Sequence, residues 1–376
     1  MKHTPTTRLV FLDNLRVVLT SLVVAHHAAQ PYGPTGGAWP LFNPDRAVIL
    51  GPFFAVNAAF FMGLFFFIAG YLTPAAYDRK GPQRFLWIRF QRLGIPLVVF
   101  SLVVFPPVLY HLSGPPQSFF TFIAHVYIHP LKIEVAHLWF LLHLLVYAVG
   151  HALWQQRPRR FRVLASYPVP GHGAIVLYLL GLTGLTVLVR IYYPIDRWVR
   201  LFGFLPTEVA HLPQYVSLFI AGTVAYRFNW LRQIDKTKGF IWLIIGLTAA
   251  LLRYAYSIGQ NNHLLPDIIA GGGWDWRSVV WSGWEATICV GLCVGLLVLF
   301  RETLNHQNQV TALLSHNAYG VYLIHLVMVV YLQVAIANTP LGPLLKFGLV
   351  TLIGVPLCFT ISVFLRKVPI FRYVLP

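Results

Sequence analysis

Residues 52–74 read PFFAVNAAFFMGLFFFIAGYLTP, without one Asp, Glu, Lys, Arg or His. At 1.5 Å of rise per residue, a helical run of about 20 residues crosses the ~30 Å hydrocarbon core of a bilayer. Runs of this length are not needed for strands or for helices that pack in a soluble core. Working outward from this stretch, the chain divides into ten such runs: 14–31, 52–74, 94–112, 136–154, 173–193, 212–228, 239–257, 278–300, 311–336 and 342–365. The pattern predicts an all-α integral membrane protein, a bundle of about ten transmembrane helices. The run 212–228 is the weakest, being short and interrupted by Gly222, while 136–154 and 311–336 carry His143 and His325.

Composition agrees with the lipid reading. Of 376 residues, 57% are apolar or aromatic and 10% are charged, against roughly 25% charged in soluble domains. The net charge of +17 would suit nucleic acid if the basic residues formed one footprint. They fall instead in alternate loops. With the N-terminus inside, the inner set is Lys2, Arg8, Arg16, Arg79, Lys80, Arg84, Arg89, Arg92, Arg157, Arg159, Arg160, Arg162, Arg227, Arg232, Lys236, Lys238, Arg301, Arg366, Lys367 and Arg372. That is 20 of the 28 Lys and Arg, the positive-inside bias that sets orientation. Both termini are therefore expected in the cytoplasm, and nucleic acid is not an expected partner. Residues 1–7 lack the apolar core and cleavage site of a signal peptide, so the first span is expected to act as an uncleaved anchor. Cys289, Cys293 and Cys358 lie inside spans and read as small packing residues. The longest outer segments, 32–51, 113–135, 194–211 and 258–277, are rich in Pro, Gly, Trp and His. No internal repeat stands out, so residues 1–376 are read as one membrane domain.

Ionisable groups inside a bilayer are costly and become the first candidates for function. In the first run, Arg16 and His27 are eleven residues apart. At 100° per residue they fall within about 20° of one helix face, about 16 Å apart along the axis. His26 is turned about 100° from that face. Asp13 stands three residues before Arg16 and can pair with it. His27, placed toward the outer side, can exchange a proton near neutral pH; the plain alternative is a packed, hydrogen-bonded histidine. Arg84, Arg89 and Arg92 sit in the second inner loop. Arg89 and Arg92, three apart, would present two guanidinium forks suited to phosphate, or simply anchor topology on anionic lipid.

His137 and Trp139 lie at the outer boundary of the fourth run. Trp139 alone is an ordinary interfacial aromatic, and His137 can meet an incoming substrate. His125 and His129 are four apart, and with Glu134 or His137 they would make only a sparse metal set; no metal is expected. Tyr322 and His325 stand three apart in the ninth run, with a hydrogen bond between helices as the plain reading of His325. Walker, nucleophile-elbow, His-Glu-x-x-His and dinucleotide motifs are absent.

These pieces together resemble the membrane-bound acyltransferase 3 family. The matching elements are Leu12-Asp13-Asn14-Leu15-Arg16…His27, Phe66-Phe67-Ile68-Ala69-Gly70-Tyr71-Leu72, Arg89-x-x-Arg92, and Ala318-Tyr319-Gly320-Val321-Tyr322-Leu323-Ile324-His325. His137-Leu138-Trp139-Phe140-Leu141 is similar to the branch that contains the glucan succinyltransferases. The resemblance runs over nearly the whole chain, in order. Ala69 stands where many members have Ser, and Asn14 where many have Gly; neither change removes a catalytic group.

The resemblance implies an O-acyltransferase of the bacterial inner membrane. It would move an acetyl or succinyl group from cytoplasmic acyl-CoA to a hydroxyl of an extracytoplasmic glycan, such as a periplasmic glucan. By position, His27 and Arg16 match the family's essential first-span pair, and Arg89 and Arg92, with Arg84 beside them, match the CoA-side arginines. Asp13, His137, Trp139, Tyr322 and His325 would support the substrate site. The rival class is a transporter or flippase of an acyl group or glycolipid precursor, which should show repeats or paired broken helices. A sensor or scaffold, with structural His and Arg, is the third reading.

Overall fold

The computed structural model describes residues 9–34, 39–128, 133–157, 167–369 and 371. Its main helices are α1 Val10–Ala29, α2 Leu50–Lys80, α3 Pro82–Ser113, α4 Phe119–Ile128, α5 Ala136–Gln156 and α6 His172–Arg190. An antiparallel hairpin follows, β1 Trp198–Leu201 and β2 Leu205–Glu208, in register Trp198 with Glu208. Then come α7 Leu212–Arg227, α8 Lys236–Asn261, α9 Trp276–Thr303, α10 Gln309–Ile336 and α11 Pro343–Lys367. The expectation of an all-helical chain is thus corrected by one small sheet.

Among the described residues, eight helices are long and apolar enough to cross a membrane: α2, α3, α5, α6 and α8 to α11. The runs 14–31 and 212–228 also fold as helices, but α7 has 16 residues. That gives about 24 Å of rise, short of the ~30 Å core. α1 has 20 residues, with Asp13 in its first turn and His26 and His27 in its last. Length and composition therefore carry eight of the expected spans among the described residues.

The boundary at α3 also moves. It begins at Pro82 rather than 94, and Gly81, at φ 73°, makes the break from α2. Arg84, Arg89 and Arg92 therefore lie on a helix, not in a loop. Two π-helical turns, Phe90–Gly94 and Phe100–Val104, interrupt α3. Prolines explain both, because each lacks an amide and crowds the carbonyl four residues back. Pro96 cannot bond the Arg92 carbonyl, which accepts instead from the Tyr319 hydroxyl. Pro106 likewise removes a donor one turn beyond Ser101, whose carbonyl accepts from Tyr127 Oη at 2.5 Å. In lipid, each freed carbonyl needs such a partner.

α2 packs along α7, α8 along α9, and α10 against α1 and α11. At the α2–α7 crossing, a Cβ on Gly70 would overlap the Phe219 carbonyl, and one on Gly222 would overlap that of Phe67. Gly222, a weakness by composition, is what lets the two backbones meet.

Lys2, Arg8, Arg159, Arg160, Arg162 and Arg372 lie outside the described residues. Several others of the expected inner set gather at one end of the bundle. Arg227 forms a double ion pair with Asp78, and Arg301 donates to the Leu231 carbonyl at 2.9 Å. Asn14 bonds the Leu304 and His306 carbonyls at 2.7 and 2.9 Å. Lys80 lies within electrostatic range of Arg79, Arg84, Arg89 and Arg92.

Candidate functional site

At the opposite end of α1 the helix finishes on His26 and His27, whose neighbours open a cavity of about 580 Å³. The last carbonyls of a helix lack amide partners. Here Gln333 Nε2 donates to the His27 and Ala28 carbonyls at 3.0 and 3.2 Å, and Gln333 Oε1 accepts from Trp39 Nε1 at 2.9 Å. Trp39 stacks on the His27 ring, centroids 5.6 Å apart.

His27 and His325 form the centre. His325 Nδ1 lies 2.7 Å from the Tyr322 carbonyl, and its Nε2 lies 3.0 Å from His27 Nδ1. His27 Nδ1 is also 3.0 Å from the Val23 carbonyl. A carbonyl can only accept, so each Nδ1 carries the proton. His27 Nδ1–H then faces two acceptors, Val23 O and the lone pair of His325 Nε2. This leaves Nε2 as the unprotonated nitrogen of His27.

His137 sits in the turn that opens α5, its ring 4.6 Å from that of His325 and 6.4 Å from that of His27. The Tyr322 hydroxyl donates to the His137 carbonyl. Trp139 stacks on Tyr215 with centroids 5.5 Å apart. His27, His137, Trp139 and Tyr322 all line the cavity, with His325 behind them. His26, set aside on the helix-face argument, lines it too. Its ring lies 5.1 Å from both Phe54 and Phe61, because the cavity wraps the end of α1.

The remaining sequence candidates lie elsewhere. Arg16 pairs with Asp13 at 3.6 Å, eleven residues or about 16 Å of helix from His27. Arg89 turns inward, donating to Thr73 Oγ1 at 3.2 Å with its guanidinium over Phe85. Arg84 and Arg92 are exposed. The π turn at Phe90 falls between Arg89 and Arg92, which lie within electrostatic range of each other. His129 lies outside the described residues, and Glu134 accepts from the Ala136 amide at 2.7 Å.

The far wall holds residues that sequence reasoning passed over. Glu285 pairs with Arg190, and His211 sits between Glu208 at 3.2 Å and Glu285 at 3.6 Å. Burial works against a charge on His211, but Glu208 and then Glu285 outweigh it and push its pKa up to about 10. A signal existed, since Arg190 and Glu285 are charges inside the runs 173–193 and 278–300.

Long apolar helices around a histidine-lined cavity define a multi-pass membrane protein. The chain belongs to the acyltransferase domain family, whose model matches residues 9–363; it is a membrane acyltransferase. It is similar to proteins named glucans biosynthesis protein C from Salmonella paratyphi B, Salmonella agona and Salmonella enteritidis. Each is 25% identical over 379 residues, covering 95% of this chain and 92% of the relative. No solved structure matches the chain.

Proposed function

We propose that this acyltransferase resides in a bacterial inner membrane and moves an acyl group, acetyl or succinyl, from acyl-CoA to a hydroxyl of an extracytoplasmic glycan. The observation that carries the reading is His27, lining the cavity with Nδ1 held 3.0 Å from both the Val23 carbonyl and His325 Nε2, which leaves Nε2 free to act as a base in the neutral ring. A sugar hydroxyl is a weak nucleophile and needs a base. His27 Nε2 takes its proton as the oxygen bonds the thioester carbonyl carbon; the C–S bond breaks and the CoA thiolate leaves. The basic end, with Arg84, Arg89 and Arg92, holds the CoA phosphates and faces the cytoplasm by the positive-inside rule. The donor's extended pantetheine arm carries the thioester toward the cavity, where Trp139 and His137 meet the sugar. The glucan in the relatives' name supports a glucan acceptor.

The test is glycan acylation in cells lacking the gene, complemented with wild type, His27→Ala or Arg89→Ala. We expect acylation to return with wild type only, and acyl-CoA affinity by calorimetry to fall in Arg89→Ala. Full acylation by a well-expressed His27→Ala protein removes His27 from the chemistry. Unchanged acylation in the deletion strain removes that glycan as acceptor.

A further inference from the structure

Arg253 sits on α8 inside the apolar run 239–257, and its side chain is 7% exposed. It lines the same cavity as His27. Its guanidinium lies 5.1 Å from the Trp281 ring centroid and 5.7 Å from that of Tyr256. Ring faces offset part of the cost of a buried cation, but they accept no in-plane hydrogen bond. Arg253 Nε and Nη1 are buried without a hydrogen-bond partner among the described residues.

The carboxylates on the cavity wall and the Tyr256 hydroxyl are already committed. Tyr256 Oη donates to the Pro266 carbonyl at 2.6 Å and accepts from the Ile268 amide at 2.8 Å. Glu285 serves Arg190 and His211, and Glu208 serves His211 and the Asp196 amide at 2.8 Å. Asp267 is within electrostatic range but exposed on the following loop. Arg190, buried at the same end of the bundle, has its carboxylate; Arg253 does not. A desolvated cation without an acceptor is costly, and an anion entering the cavity supplies what is missing. The planar guanidinium fork matches a carboxylate.

We propose that Arg253 receives a carboxylate carried by the ligand and thereby selects carboxylate-bearing over neutral ligands. This rests on reading the cavity as the place of acyl transfer. The carboxylate has two possible sources, the free end of a dicarboxylic acyl group or an acidic sugar of the acceptor.

The test uses the full chain in lipid nanodiscs as wild type, Arg253→Gln and Arg253→Lys. One arm compares succinyl-CoA with butyryl-CoA on a neutral glucan. The other compares neutral and glucuronic-acid glucans with butyryl-CoA. Wild type should favour the carboxylate in one arm by roughly ten- to a hundredfold, the range of a charge-assisted hydrogen bond; that arm identifies the source. Arg253→Gln should lose the preference and Arg253→Lys keep part of it. No preference in wild type, an unchanged preference in Arg253→Gln, or equal slowing of both ligands overturns the proposal. If wild type transfers nothing, the transfer reading itself fails. Saturation-transfer NMR with monomethyl and dimethyl succinate then decides on Arg253. Wild-type binding of the monoester that Arg253→Gln loses upholds the carboxylate site, and equal binding overturns it.

Discussion

Replacing His325 by Phe separates the ring that moves a proton from the ring that holds it in place. His325 is fully buried, and a phenyl ring keeps the contacts with His27 and His137, whose centroids lie 4.9 and 4.6 Å away. What it removes is the Nε2 acceptor 3.0 Å from His27 Nδ1, together with the Nδ1–H that His325 donates to the Tyr322 carbonyl at 2.7 Å. His27 keeps its second acceptor, the Val23 carbonyl at 3.0 Å. His27 therefore loses one hydrogen bond of about 0.5–1.5 kcal/mol, up to roughly a tenfold drop in kcat with little change in KM. Removing the proposed base, by His27→Ala, should cost on the order of 10²–10⁴-fold. Initial rates of acyl transfer in nanodiscs read both numbers. His325→Gln should recover part of the loss, since its amide restores a polar atom near Nε2. A folded His325→Phe protein as inactive as His27→Ala would refute the assignment, because His325 would then itself carry the proton.

Three further outcomes follow from the packing and charges. Arg190→Met strands Glu285, leaving it only His211 at 3.6 Å, and should cost about 3 kcal/mol, the low end for a broken buried pair. Arg190→Met/Glu285→Leu should recover most of that in unfolding by denaturing detergent, and a double variant as weak as the single one would contradict it. Gly70→Ala drives a methyl into the Phe219 carbonyl and should lose about 1–3 kcal/mol as overpacking does; undiminished stability would refute the close crossing. His211 has a folded pKa of about 10 against an ordinary 6.5, so its stabilisation is complete below the lower value and lost as pH rises through the higher. Glu208→Gln should flatten the decline in stability across that window, and an unchanged slope would discard the His211–Glu208 pairing.

The long helices were legible because length and composition survive folding: 52–74 and 278–300 are helical in lipid whatever surrounds them. The hairpin was not legible, since strands of four residues are too short to show alternation. His27 and His325 were each visible as ionisable groups inside apolar runs, but their contact joins residues 298 positions apart, which no local period encodes. His26 was set aside because the helix-face argument assumes a flat partner, and the cavity curves around the helix end. Arg190, Arg253 and Glu285 carried the same signal as His27. Their charges stood inside apolar runs, but which were paired and which was not depended on the packing of α6, α8 and α9. Arg89 and Arg92 were legible as neighbours, but the π turn set by proline between them was not, since it lies outside a 3.6-residue period.

Those turns let α3 absorb a change in length. A π turn holds about one residue more than an α turn in its place, so the sequence before Phe90 and the sequence after Gly94 are indexed differently around one axis. Deleting a single residue between 90 and 94 would restore the ordinary turn and leave the flanking helix in nearly the same rotation, because four residues at about 100° cover roughly the arc that five cover in the π turn. Hydropathy and net charge would hardly register the loss. Among chains of this kind, a one-residue gap in this stretch is therefore taken up by the turn, and the arginine now bonded to Thr73 keeps its direction.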